Sequence, residues 1–219
     1  MQRISEDGHE VGSHYNYHDL MYKQSSYEIE KNLEIAKNRI FKSTGIEPIG
    51  FRAPVFSINR NRLDIYKSIE KFFEYDSSYV LKLDSHDYKN YLKEPPFNLD
   101  KLREFPIVPK KLFGNFYIKS GGTFLRLFSK NALKDVINYN LENDFIPIIY
   151  LHPYDFMMEK EFWVGMDIFS KKPSLKNFVK YFRQHQWLGL GNKTVIQKLN
   201  HIFESHEHQG CMRNLISDA

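Results

Sequence analysis

The chain has a single cysteine, no two consecutive aspartates, no internal repeat and no low-complexity segment. One thiol, Cys211, excludes an internal disulfide framework and is compatible with a reducing compartment. No apolar run approaches the ~20 residues that a membrane-spanning helix needs. The stretch from Met1 to Gly8 lacks the apolar core of an export signal, so the sequence as written predicts a soluble, cytoplasmic protein. Charge of one sign is not in large excess either: 31 basic against 27 acidic residues leave +4, spread along the chain. Short clusters such as Lys110-Lys111 read as solvated surface, and no basic stripe suited to nucleic acid is present.

What is there suits a packed domain. A length of 219 residues fits one large domain, or a domain with an appendage. Hydrophobic residues at 42% and aromatics at 16% are ample for a core and argue against disorder. Aromatic rings also pack on the apolar faces of sugars, although most of the 14 Tyr and 18 Phe are read as core and surface.

Helices and short apolar strands alternate. Ser25-Ser26-Tyr27-Glu28 has the form of a capping box, and Ile29, Leu33, Ala36 and Ile40 follow at helical spacing until Gly45. Pro48 to Arg52 reads as a strand ended by Pro54. A helix over Arg60 to Phe73 turns Leu63, Tyr66, Ile69 and Phe73 inward and runs into a short strand to Asp76. Lys82 to Leu102 is polar and reads as a surface excursion, Glu104 to Val108 as extended chain, and Ser120 to Thr123 as a turn. Ser129 caps a helix to about Leu141. Phe145 to Leu151 is the most strand-like run, apolar enough for a parallel strand buried on both faces. Two further helices are expected at Ser174–Gln184 and Lys193–Glu204.

This order suggests an α/β barrel-like architecture, in which working residues sit where strands end. Arg52, Asp76 and His152 each fall at such a point and are expected to face one cleft. His14 and His18, four residues apart, can share one face of a helical turn and converge on a metal ion. His152, just after an apolar run, is placed to act as acid or base. The bland readings are surface histidines for His14 and His18, a structural ion pair for Arg52 with Asp76, and a strand-edge cap for His152. His9 is read as packing or surface, and His201, His206, His208 and Cys211 as a polar tail rather than a second metal cluster.

Four motifs in order carry a resemblance: Gly8-His9-Glu10-Val11-Gly12-Ser13-His14 with His18, Phe51-Arg52-Ala53-Pro54, Tyr75-Asp76-Ser77-Ser78, and Tyr150-Leu151-His152-Pro153. Together they resemble the polysaccharide deacetylases, carbohydrate esterase family 4, over roughly residues 8 to 155. Arg52 to Ser57, Ser120 to Arg126 and the stretch from His152 to Gly191 are most similar to the branch linked to exopolysaccharide biosynthesis.

The resemblance implies a deformed (β/α) barrel with a deacetylase-like domain over 1–155, a family-specific extension over 156–205 and a polar tail over 206–219. It implies hydrolysis of N-acetyl groups on N-acetylhexosamine units of a polysaccharide, with a divalent metal, most often zinc. His14 and His18 match the metal ligands, and His152 the acid that protonates the departing amine. Asp76 would orient His152, and Arg52 would hold the aspartate that acts as base. Pro54, Tyr150 and Leu151 would line the substrate.

The chain departs from the family at one point. The family opens with a strand ending in Thr-Phe-Asp-Asp, which supplies the base and the third metal ligand. Here only 13 residues precede His14, and Asp7, in the turn before Gly8, is the one aspartate among them. The barrel is therefore expected to lack its first strand, to be poorly stable, and to hydrolyse little as written. Three accounts follow: a deacetylase missing ~40–60 residues of sequence, an inactive sugar-binding remnant, or a partner completed by another polypeptide.

Overall fold

The capping box at Ser25 forms as the sequence requires. Ser25 Oγ accepts the Glu28 N–H at 3.3 Å and the Glu28 carboxylate accepts the Ser25 N–H at 2.8 Å. In the computed structural model this starts α2 (Ser26–Thr44), which follows a short, unanticipated α1 (Gln2–Glu6). Gly45 stops α2 in the left-handed region at φ 73°, where a side chain would be strained. Ile29, Leu33, Ala36 and Ile40 are all buried, as their spacing predicts. The structure describes residues 1–58, 62, 64–86, 101–157, 159, 163–165 and 174–216. Leu63 and residues 87–100 of the expected excursion lie outside them.

The chain divides into two units, residues 1–108 with 209–219, and residues 109–208. The first is built on a parallel sheet of β1 (Gly50–Phe51), β2 (Tyr75–Asp76) and β3 (Arg103–Glu104), in that order. Ser13 adds a parallel bridge to Phe51 on the far side of β1, and Val80 bridges Ile107. Parallel neighbours need a crossover. Here α2 connects Ser13 to β1, and α3 (Asp64–Glu70) connects β1 to β2. The core gathers Met21, Ile29 and Leu33 with Phe51, Ile65, Tyr66, Ile69 and Phe73. Tyr66, Ile69 and Phe73 thus point inward as their periodicity predicts. Residues 209–216 return to this unit, where the Arg213 N–H donates to Glu10 at 3.1 Å and Arg103 donates to the Leu215 carbonyl.

The second unit opens with an antiparallel hairpin, β4 (Lys110–Phe113) and β5 (Phe116–Ile118). Then come α4 (Thr123–Leu127), α5 (Lys130–Leu141), α6 (Leu175–Leu188) and α7 (Val195–Phe203). Ser129 and Ser174 cap α5 and α6, accepting from Ala132 and Asn177. Leu125, Leu133, Ile137, Val195 and Ile202 form its core.

One expectation fails here. Phe145 to Leu151 is not a strand buried on both faces: among the described residues its one ladder contact is a parallel bridge between Gly121 and Tyr150. Pro147 lacks the N–H a ladder needs, and within this run only Ile148 is fully buried while Ile146 is 37% exposed. The bridge depends on Gly121, where a Cβ would lie 2.1 Å from the Tyr150 carbonyl oxygen.

Candidate functional site

The register of the first unit's sheet places its polar residues. Ser13 pairs with Phe51, Phe51 with Asp76, and Asp76 with Glu104, making one row across four chain segments. The next residue in each segment, His14, Arg52, Ser77 and Phe105, makes a second row just past the carboxyl ends of the strands. In parallel α/β sheets this edge is where ligands bind.

That second row is joined by hydrogen bonds. His14 Nδ1 lies 2.7 Å from the Arg52 carbonyl oxygen. Arg52 donates through Nε to the Ser77 carbonyl at 2.9 Å and through a terminal nitrogen to Ser77 Oγ at 2.7 Å. Ser77 Oγ donates onward to the Phe105 carbonyl at 2.8 Å. A carbonyl only accepts, so Nδ1 of His14 carries the proton and the ring's lone pair is on Nε2, the form in which imidazole binds metal.

His14 and His18 are not on a helical turn, contrary to the sequence reading. Ser13 is committed to the bridge with Phe51, and Tyr15 follows in the left-handed region at φ 71°. Both features exclude an α-helix at this point. The loop bend still brings the two imidazoles together, with ring centres 5.3 Å apart and planes at 66°. A tetrahedral ion with metal–nitrogen bonds of ~2.0–2.1 Å would hold two ring centres roughly 5 Å apart. Tyr15 is held by its buried ring and by its hydroxyl, which donates to Gln24 at 2.6 Å; burial pushes that phenol up to about 12.

The pair alone does not make a resident metal site. Catalytic zinc takes three protein ligands, and among the described residues no cluster of three His, Cys, Asp or Glu could hold a metal. Two imidazoles supply part of the donor set and no base.

Asp76 is completely buried, and its oxygens accept from the Ser78 N–H at 2.9 Å and from Ser78 Oγ at 2.6 Å. Its carboxyl also lies within hydrogen-bonding reach of Glu104. Burial, then the neighbouring Asp76 charge, push Glu104 well above the ordinary carboxylate range; burial also raises Asp76. Two buried carboxyls in such contact favour one proton held between them. Within its own unit Asp76 thus directs its oxygens to Ser78 and Glu104. Pro54 is buried at the start of a 3-10 turn (Pro54–Phe56), behind Ala53, whose N–H donates to Ser78 Oγ at 2.7 Å.

His152, Tyr150 and Leu151 lie in the second unit. Leu151 packs against that unit's core, and Tyr150 meets the His152 imidazole edge-on at 6.3 Å. Tyr154 stacks on the same imidazole at 4.7 Å with planes 12° apart. The carboxylate beside His152 is Asp155, with Oδ2 3.6 Å from Nδ1. Asp155 is wholly buried and paired with the equally buried Arg126 at 2.8 Å. Sequence reasoning missed Ser77, Glu104, Asp155 and Arg126; only the conjunction of His152 with an acid three residues on could have flagged one of them.

His206 Nε2 meets Asn138 Oδ1 at 2.8 Å and His201, on α7, meets Glu204 at 3.2 Å, so these histidines have local partners.

Comparison with known proteins bears on both units. Residues 1–71 match the polysaccharide deacetylase family model, and residues 84–213 match a domain of unknown function, DUF3473. No functionally curated protein matches the sequence. Among solved structures, a protein assigned as a polysaccharide deacetylase from Mycobacterium smegmatis superposes with a TM-score of 0.54 at 15% identity. The match covers 99% of this chain and 65% of that one, so the chain spans less than two thirds of its neighbour's length. The Xyl-CE4 domain of a multidomain xylanase from the hindgut metagenome of Trinervitermes trinervoides, at 15% identity, covers 78% of this chain and 68% of its own with a TM-score of 0.29. A T48 deacetylase solved with substrate, at 14% identity, covers 68% and 65% with a TM-score of 0.30. The first of these supports the fold; the latter two scores are too low to add to it. The DUF3473 model, matching more than half of the sequence, establishes that this chain belongs to the DUF3473 family, and its first 71 residues are similar to the polysaccharide deacetylases.

Proposed function

We propose that the protein acts on a polysaccharide, removing N-acetyl groups from N-acetylhexosamine units during exopolysaccharide or cell-envelope biosynthesis. The deacetylase match over residues 1–71 supports the reaction class, and the resemblance of Arg52 to Ser57 and Ser120 to Arg126 to the exopolysaccharide branch supports the setting. The observation that carries the reading is the pinned imidazole of His14. Its Nδ1 is held by the Arg52 carbonyl beside His18, which is the orientation a ligand histidine needs and a surface histidine does not.

In this reading His14 and His18 are metal ligands, zinc being the ion of choice, with a further donor that the described residues do not place. Arg52 and Pro54 fix the loop that carries them. Water would add its oxygen to the acetyl carbon and release a proton to solvent, and His152 would give its proton to the departing nitrogen as the amide C–N bond breaks, leaving a free amine on the sugar and acetate. Tyr150 and Leu151 present that histidine to the substrate, and Asp76 holds the strand end through Ser78. The test is acetate release from chitooligosaccharides with added zinc. Release abolished by His14→Ala and by His152→Ala supports the reading; release unaffected by both overturns it.

A second reading rests on the incomplete donor set. A protein that binds the polysaccharide without hydrolysing it would retain oligosaccharide affinity while releasing no acetate at any zinc concentration.

A further inference from the structure

Arg126 and Asp155 form an ion pair with no exposed surface on either side chain. Burying two opposite charges is costly, and replacing such a pair with apolar residues is often neutral or stabilising. A fold does not need this pair for stability, so what it holds is informative. Arg126, from α4, puts Nε 2.8 Å from Asp155 Oδ1 as an ion pair, and its terminal nitrogens donate to the Gln186 carbonyl and to Thr123 Oγ1. These bonds fix the guanidinium, which in turn fixes the carboxylate.

The other oxygen of Asp155 points at His152. Oδ2 accepts the His152 backbone N–H at 2.8 Å and lies 3.6 Å from Nδ1 of the same residue. That ring nitrogen is buried and makes no hydrogen bond, although 45% of the side chain is open to solvent. The imidazole is therefore asymmetric, one nitrogen turned inward toward a fixed carboxylate and the remainder outward. Tyr154 stacked on one face and Tyr150 against it edge-on limit its rotation. Among the described residues, the charged and titratable groups around it are Asp155 on its own turn, Arg126 on α4, and the phenols Tyr150 and Tyr154. A gap of 3.6 Å is long for a hydrogen bond, and such contacts commonly tighten when substrate binds.

We infer that Asp155, clamped by Arg126, is the positioning residue of His152: it keeps the proton on Nδ1 and leaves Nε2 as the nitrogen that exchanges a proton with substrate. The inference rests on the role proposed above for His152, and it puts Asp155 where Asp76 was expected. Arg126 acts through Asp155 and touches no reacting atom.

Nitrogen-15 NMR of the labelled full chain tests it without substrate or metal. The His152 signals are assigned by their loss in His152→Gln. Neutral His152 is expected to carry its proton on Nδ1, and this preference to shift toward Nε2 in Asp155→Asn. Because Asp155→Asn strands a buried arginine and can unfold the unit, the Arg126→Gln/Asp155→Asn double variant, which removes both charges, is measured alongside. The same change of tautomer there supports the inference. A proton on Nε2 in the unaltered protein, or an unchanged tautomer in the folded double variant, overturns it. Acetate release that survives His152→Ala overturns the proposed role of His152 and leaves the NMR result to judge the pairing by itself.

Discussion

At the scale of single residues, the site depends on groups whose sequence signal is weak. Ser77 is buried and stands between Arg52 and the Phe105 carbonyl, accepting from one and donating to the other. Ser77→Ala leaves both partners short, and a loss of about 1–3 kcal/mol in unfolding free energy is expected in urea titrations. Glu104 gives a pH signature. Its folded-state value is raised, so the native state holds a proton that the unfolded chain releases above about 4.3. The native state then binds more protons than the unfolded one, and stability falls as pH rises from that point toward the raised value. Glu104→Gln, which cannot ionise, should flatten this fall in urea midpoints measured from pH 4 to 8; an unchanged slope would show that the pair does not share a proton. Serines and lone acids occur throughout any sequence, and only strand register reveals which of them are neighbours. His14 and Arg52, by contrast, were legible because their motifs have fixed order and spacing.

At the scale of elements, legibility followed local chemistry. The α2 helix could be read from Ser25 to Gly45 because its cap, its apolar period and its stop all lie within the helix itself. Ser25→Ala should cost ~1 kcal/mol, measured as a shift in chemical denaturation midpoint. The segment from Phe145 to Leu151 misled for the opposite reason. Its apolar content suggests a strand, but a strand exists only if a partner accepts its bonds, and the partner is the single glycine-dependent bridge at Gly121. Gly121→Ala pushes a methyl into the Tyr150 backbone, so a loss of about 1–3 kcal/mol is expected, with the His152 NMR signals displaced. If both are unchanged, the bridge does not position the turn that carries His152. The loop from His14 to His18 was misread as helical because spacing alone cannot show a positive φ at Tyr15.

At the scale of the whole molecule, two units with separate cores share one chain. Domains with their own cores can melt separately. Calorimetry is expected to give a total enthalpy larger than the van't Hoff value of the main transition; equality of the two would show a single cooperative unit. Sequence periodicity located most of the helices in both units but not this division, because the boundary at Val108 and the return at Gln209 carry no change in composition.

The order of those boundaries governs how the protein is made. Glu10 leaves the ribosome well before its hydrogen-bond partner Arg213, which is translated 203 residues later. The segment from Pro109 to His208 is contiguous and emerges with all its own core residues, so it is free to finish first. The first unit thus closes only after residues translated later than the whole of the second, and the histidines at its edge wait, half-assembled, until then.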